Sequence, residues 1–487
     1  MSLEQFDADG EDTKKLLGAD GTTVIGNVGD ALKVSVASLP LPAGASTSAL
    51  QTAANASLVA IDAGIPAALG QTTMAASMPV TLASNQSEIV TKPSAIGPAV
   101  GAFGGLRVSQ TFTIGAFTFA NSPNSLLFSS LLTTGGTVTH VPASAAIRLR
   151  TTTASGSRAI YQGRRYYRYS PGDSHRFTIA APIGAAKTNV TKRVGLFDAL
   201  DGLFLEQTGT EVAFVVRSST SGSAVDTRVI QANWNVDKFD GTGPSGITIN
   251  LAFHNIFFVD YSWHGAGRAR FGFFVNGQIL YAHNSQGGNT QALPWTRTPL
   301  FPFRFEITNT GTTASATNLD VVACHFSKES SDPIFVSNAF SSSSLRANTT
   351  GTSTLKPLLS IRAKLLFSGI TNRIPAFPTY AQVQTSSPLL CQVLLNPTLT
   401  GGSWVSADGA STVEFNRDAT ALTGGSIITE FYIDKDSNER VLLDHVREQL
   451  VLGLNIVGDT ADIVTLAIIS TSGNTKTYGT ISWQEYQ

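Results

Sequence analysis

The residues whose type and spacing could do chemistry are mostly acidic. Asp198 with Asp201, and Asp237 with Asp240, are carboxylate pairs at turn spacing. Two carboxylates flanking a glycosidic bond are the machinery of sugar hydrolysis, one as acid and the other as base or nucleophile. Both pairs adjoin glycine-rich turns, where Asp is expected because its side chain bonds nearby backbone. The turn reading is preferred, and no catalytic residue is assigned. Asp434, Asp436 and Asn438 alternate as in a calcium loop. That loop needs Gly next and an acidic residue at its twelfth position; Glu439 and His445 stand there instead. A charged hairpin turn is expected. His254, His264 and His283 lie at separations of ten and nineteen, which is no ligand pattern. No GxSxG, HExxH, phosphate-binding loop or strand-linked GxGxxG occurs. Cys324 and Cys391 are far apart, each in an apolar run, so two buried reduced thiols are expected, with no metal and no cofactor.

One stretch is basic. Arg158, Arg164, Arg165, Arg168 and Arg176 interleave with Tyr161, Tyr166, Tyr167 and Tyr169. Aromatics that stack and arginines that meet phosphates make a single-strand nucleic-acid surface. The formal net charge of the chain is -1, so no electrostatic case supports that partner or an anionic membrane. The preferred reading is a strand with one solvated Arg/Tyr face, or a seam between subunits.

The elements that carry these residues read as β-strands. Apolar runs alternate with Gly, Asp, Asn and Ser clusters, above all from Val194 to Glu306. Asp201-Gly202, Asp240-Gly241 and Asn276-Gly277 favour the positive φ of tight turns. FGFFV and QILYA flank the last, predicting a hairpin. Charged residues are 14% of the 487, against roughly 25% in an ordinary soluble domain, while hydrophobic residues are 42%. Such a neutral polar surface suits a subunit in contact with others. No run approaches the ~18 apolar residues that span a bilayer, and no secretory leader is visible at the N-terminus. The expectation is a soluble protein made in a cytoplasm.

Residues 1–92 hold one aromatic, Phe6, with strand-like TTVIG (22–26), ALKVSVA (31–37) and MPVTLAS (78–84). Between them Leu50, Ala54, Leu58, Ile61 and Ile65 recur at helical spacing, on one face of a helix that Ser46 or Ser48 starts and Gly64 with Pro66 ends. A helix this short is marginal alone, so the stripe is expected to pack against copies of itself. The reading divides the rest into a β body (93–336), a Ser/Thr-rich linker or loop (337–357), and a C-terminal β region (358–487) that forms a second sandwich or completes the first. A helix is plausible at 439–450, a strand pair equally so.

The arm's IGNVGDALKVSV and ASLVAIDAGIPAALGQTTMAASMPVTLASNQS resemble a module recurring near the N-terminus of tailed-phage virion proteins. The body, through YYRYSPGDSHRF, VGLFDALDGLFLE, VVRSSTSG, WNVDKFDGTGPSGITIN, IFFVDYSWHGAGRARFGFFVNGQILYAHN, Asn372-Arg373 and ISWQEY, is similar to a family of phage virion structural proteins. One departure is Ser262, where an acidic residue is expected before Trp263. The resemblance implies a jelly-roll-like antiparallel β-sandwich carried on an attachment arm. It implies a virion protein with other virion proteins as partners (capsid, neck, baseplate or tail) and no catalytic residues.

The resulting expectation is mainly β, with one short helix in an extended arm. The chain reads as a non-enzymatic homotrimer, since a threefold bundle of the stripe closes on itself, serving as fibre, spike, neck or tail component. The alternatives are a capsid decoration protein and a receptor-binding adhesin whose Trp234, Trp263, Trp295 and Trp404 stack on host surface glycans.

Overall fold

The computed structural model describes residues 25–28, 31–34, 48–64, 100–102, 111–329, 337–344, 348–350, 354–446 and 449–487. The chain divides into two units, residues 1–91 and 92–487. In the first, Ile25–Val28 pairs antiparallel with Ala31–Val34, and a helix, α1, spans Ser48–Gly64. The strand-like segment at 78–84, Ser46, Ile65 and Pro66 lie outside the described residues.

The second unit is mainly antiparallel β, and its described residues hold two large cores and two small apolar clusters. Sheet A has seven strands in spatial order Val225–Ile230, Glu211–Ser218, Gly202–Gly209, Lys187–Phe197, Phe303–Asn309, Arg158–Gly163 and Phe128–Thr133. Sheet B has six: Gln278–Gln286, Arg268–Val275, Asn255–Tyr261, His175–Ala181, Ala323–Lys328 and Phe112–Thr118. Their inner faces meet over an aromatic core that includes Phe177, Phe214, Phe257, Phe271, Phe305 and Trp234. The pattern follows from period-two alternation: in His175–Ala181 the odd-numbered positions are buried and the even ones half-buried. The result is a jelly-roll-like sandwich.

The hairpin at Asn276-Gly277 is present. Val275 faces Gln278, and both turn residues have positive φ, 51° and 78°. That is the twist a two-residue hairpin loop requires. Asp201-Gly202 closes a four-residue connection instead, with Phe197 opposite Gly202.

Residues beyond 337 depart from the linker reading. Asn338–Ser343 and Asn348–Thr350 are strands that pair with the C-terminal strand Thr475–Glu485. Serine and threonine donate backbone to a sheet as well as any residue; what they lack is apolar bulk, and here Phe340 supplies it against Trp483. Sheet C runs Asn338–Ser343, Thr475–Glu485, Ala376–Thr385, Asn438–Leu442. Sheet D runs Val405–Ser406, Val413–Asn416, Lys356–Ala363, Ile463–Ser470, Leu389–Leu395, Ser426–Ile433. Leu359, Ile361, Val383, Cys391, Leu466 and Trp483 form their core. Among the described residues of 439–450 there is no α-helix: Asn438–Leu442 is a strand and Asp444–Val446 makes a 3-10 turn. The charged turn at 434–437 is not a hairpin either, because the strand before it pairs in sheet D and the one after it in sheet C.

Candidate functional site

The Arg/Tyr cluster is where the two sandwiches meet. Tyr161, Tyr166, Tyr167 and Tyr169 are all at most 4% exposed, so none offers a face to a nucleobase or to solvent. Tyr161 stacks on Phe128 at 5.2 Å, and Tyr167 packs edge-on to Phe303 at 5.4 Å. Arg158 and Arg176 pair inside the first sandwich, with Glu306 and Asp260, while Arg164 and Arg165 reach across the seam. Arg164 pairs with Asp462. The Arg165 guanidinium lies over Tyr167 and Phe377, 5.2 and 5.5 Å from the ring centres. From the other side Arg373 covers Tyr166 at 4.9 Å, and its Nε is 3.7 Å from Asp198. Tyr166 donates to the same carboxylate at 3.3 Å. The expected solvated face is therefore a seam within one chain. Half-buried guanidinium over aromatic faces is a favourable contact.

The carboxylate pairs close turns. Asp198 accepts the backbone N–H of Leu200 and Asp201 at 2.8 and 2.9 Å. Asp201 accepts from Ser219 N, Ser219 Oγ and Arg297 N. Burial pushes the Asp201 carboxyl up, and those three bonds pull against it. Asp237 accepts from Phe239 N and Ser245 N, and Asp240 from Thr242 N and Oγ1. Asp237 and Asp240 serve the loop that contains them, while Asp201 ties its turn to the segments of Ser219 and Arg297. Among the described residues no group of His, Cys, Asp and Glu is arranged to hold a metal. His264 accepts from Gly172 N at 2.9 Å. Cys324 and Cys391 are free and buried, and burial pushes both thiols up, Cys391 to about 12.

Sequence reasoning missed a charge network on the outer face of sheet A. Arg193 bonds Glu206 at 2.7 Å and Glu306 at 3.4 Å; Arg158 and Arg304 also hold Glu306, and Arg228 holds Glu206. Its signal was charge at alternating positions, Arg304 and Glu306, inside an otherwise apolar strand. Burial alone would push the Glu306 carboxyl up, but the charges of Arg304, Arg158 and Arg193 outweigh it and hold it at about 2. A second network lies on the outer face of sheet B. Asp260 receives Arg270 at 2.6 Å and the Tyr281 hydroxyl at 2.6 Å, and Val100 O accepts from Arg270 above it.

The tryptophans separate by burial. Trp234 lies in the core, stacked on Phe214 at 4.2 Å, and is no platform for a ligand. Trp295 is 7% exposed. Trp263 is half-buried with its Nε1 on Thr296. Trp404 is half-buried beneath the Arg362 guanidinium at 4.2 Å.

Helix α1 is of another kind. Every side chain described on it, residues 48–60, is exposed, including Leu50 at 59%, Leu58 at 61% and Val59 at 68%. Ala54 lies between them on the stripe; Ile61 is helical with its side chain outside the described residues, and Ile65 is outside them altogether. Thr52 and Ser57 turn their hydroxyls back onto Ser48 O and Ala53 O. No acidic residue sits in the first turn and no basic one in the last, so the dipole gives α1 no help. Its apolar face is the means left to hold it folded.

No family model matches this chain, and no curated protein matches it. Solved structures similar to part of it include a legume lectin-like domain from Entamoeba histolytica, 13% identical over 45% of this chain and 98% of that one, at a TM-score of 0.28. A glycosyl hydrolase family protein from Mycobacterium fortuitum is 11% identical over 44% and 99%, at 0.31. The Emp47p carbohydrate recognition domain is 10% identical over 45% and 96%, at 0.29.

Proposed function

We propose that this chain is a structural subunit of a tailed-phage virion, joined to copies of itself through α1 and carrying the double sandwich as an appendage. The observation that carries the reading is the exposed stripe of Leu50, Ala54 and Leu58 on a helix with little else to stabilise it. Burying a leucine side chain contributes roughly 1.5–3 kcal/mol, and a threefold bundle would bury this stripe once per copy without leaving an open end. Residues 92–487 support the reading from the other side: they hold two large buried cores of their own, and their acidic pairs are occupied in turns and ion pairs. The module resemblance of the arm supplies the virion setting, with capsid, neck, baseplate or tail proteins as partners.

Electron microscopy of particles carrying a tagged copy tests this. Label at a threefold appendage is the expected result. Purified particles that lack the protein would contradict it, and label spread evenly over the capsid would replace the appendage with a decoration role.

A further inference from the structure

We propose that the open end of the first sandwich is a binding site for a neutral saccharide, a role that does not depend on how the chain assembles. Phe214 on sheet A stacks against Phe271 on sheet B, centroids 4.8 Å apart. Two residues along each strand the pair becomes Val216 and Ala269, and beyond these come Ser218 and, just before its strand begins, Gly267. Residues two apart share a face, so the inner surface tapers from ring to methyl to hydroxyl and hydrogen. Cross-strand neighbours continue it, because Thr227 pairs with Val216 and Ser285 with Ala269. Sheets packed about 10 Å apart need large side chains to fill the space between them. Here they run out, and a cleft of about 450 Å³ remains, lined also by Gln291 and Leu293.

Three observations give the ligand its class. No charged side chain lines the cleft; Arg217 and Asp226 beside it bond each other at 2.7 Å. A charged ligand would lose its water there with no partner, so the occupant is neutral. Serine and threonine residues with one amide side chain share the lining with Val216, Leu293, Pro294 and Trp295. That pairing of apolar wall and donor-acceptor rim matches a sugar ring, with its C–H faces and hydroxyl edges. Finally, Trp295 lines the wall at 7% exposure, its indole Nε1 buried behind that wall and unpartnered among the described residues. A Cβ on Gly287 would stand 3.2 Å from Trp295 Cδ1, so glycine there keeps the pyrrole edge of the indole uncrowded. The volume lies within the ~300–1,000 Å³ of small-molecule sites.

Saturation-transfer NMR on the full chain with glucose, galactose and N-acetylglucosamine, each at millimolar concentration, tests the assignment. N-Acetylneuraminic acid serves as the anionic control and toluene as the apolar one. Transfer to at least one neutral sugar is expected, with none to the anionic sugar. Thr227→Val with Ser285→Ala removes two hydroxyls and keeps the shape; it should weaken binding about tenfold, since each bond is worth ~0.5–1.5 kcal/mol. Ser285→Leu fills the mouth and should abolish binding, with an unchanged near-ultraviolet spectrum showing the fold retained. Transfer to no neutral sugar, transfer to toluene alone, or binding unaltered in both variants overturns the assignment.

Discussion

His175 shows how far burial governs single residues here. It is 0% exposed, stacked on Phe326 at 5.5 Å, and its Nε2 accepts from Ser170 N at 3.3 Å. An accepting Nε2 places the ring proton on Nδ1. Burial, reinforced by the charge of Lys328, pushes its pKa down to about 3. The unfolded chain then binds a proton below about 6.5 that the folded chain refuses until about 3. Stability contributed by the neutral ring is complete above 6.5 and declines as pH falls between those values, by up to ~1.4 kcal/mol per pH unit. His175→Gln should flatten part of that decline in a series of denaturant titrations from pH 7 to 4; an unchanged slope would contradict it. Glu306 is the opposite case. With a folded pKa near 2 against an ordinary 4.5, its stabilisation is full above 4.5 and lost as pH falls toward 2. Glu306→Gln leaves Arg304, 2% exposed, without its carboxylate, and should cost about 3–5 kcal/mol at pH 7, read as a lowered urea midpoint.

At the scale of elements, turns were the legible part. Asn276-Gly277 declared its hairpin because few residues accept two positive φ angles in succession, and Gly277→Val should cost ~1–2 kcal/mol by thermal melting. Ser368-Gly369 makes the same kind of turn, φ 49° and 77°, yet its flanking strands are two residues each and left no pattern to read. The strands at 338–343 and 348–350 were hidden for a related reason: their partner, Thr475–Glu485, lies more than a hundred residues away. The Arg/Tyr cluster was visible as composition, but its partners Phe377, Arg373 and Asp462 are equally remote, so its role as an internal seam was not. Ser218, Thr227 and Ser285 drew no notice because a hydroxyl in a strand carries no message until the opposing sheet is known. The seam predicts cooperativity between sandwiches. Arg165→Ala with Arg373→Ala should split a single calorimetric transition into two, and one unaltered peak would mean the contacts contribute little.

The whole molecule combines a self-sufficient double sandwich with a helix whose described side chains all face water. Much of this organisation was readable, since a narrow Leu/Ala stripe without charge support is conspicuous beside aromatic-rich strands. If the stripe is an interface, Leu50→Ser with Leu58→Ser should dissociate the assembly while leaving the melting of the β body unchanged. The most direct test is the mass in solution by light scattering at micromolar concentration, for the full chain and for residues 92–487. The full chain should weigh three times its 51.2 kDa and the truncated chain once its own mass. A full-length monomer, or a trimer that survives loss of the first 91 residues, would contradict assembly through α1.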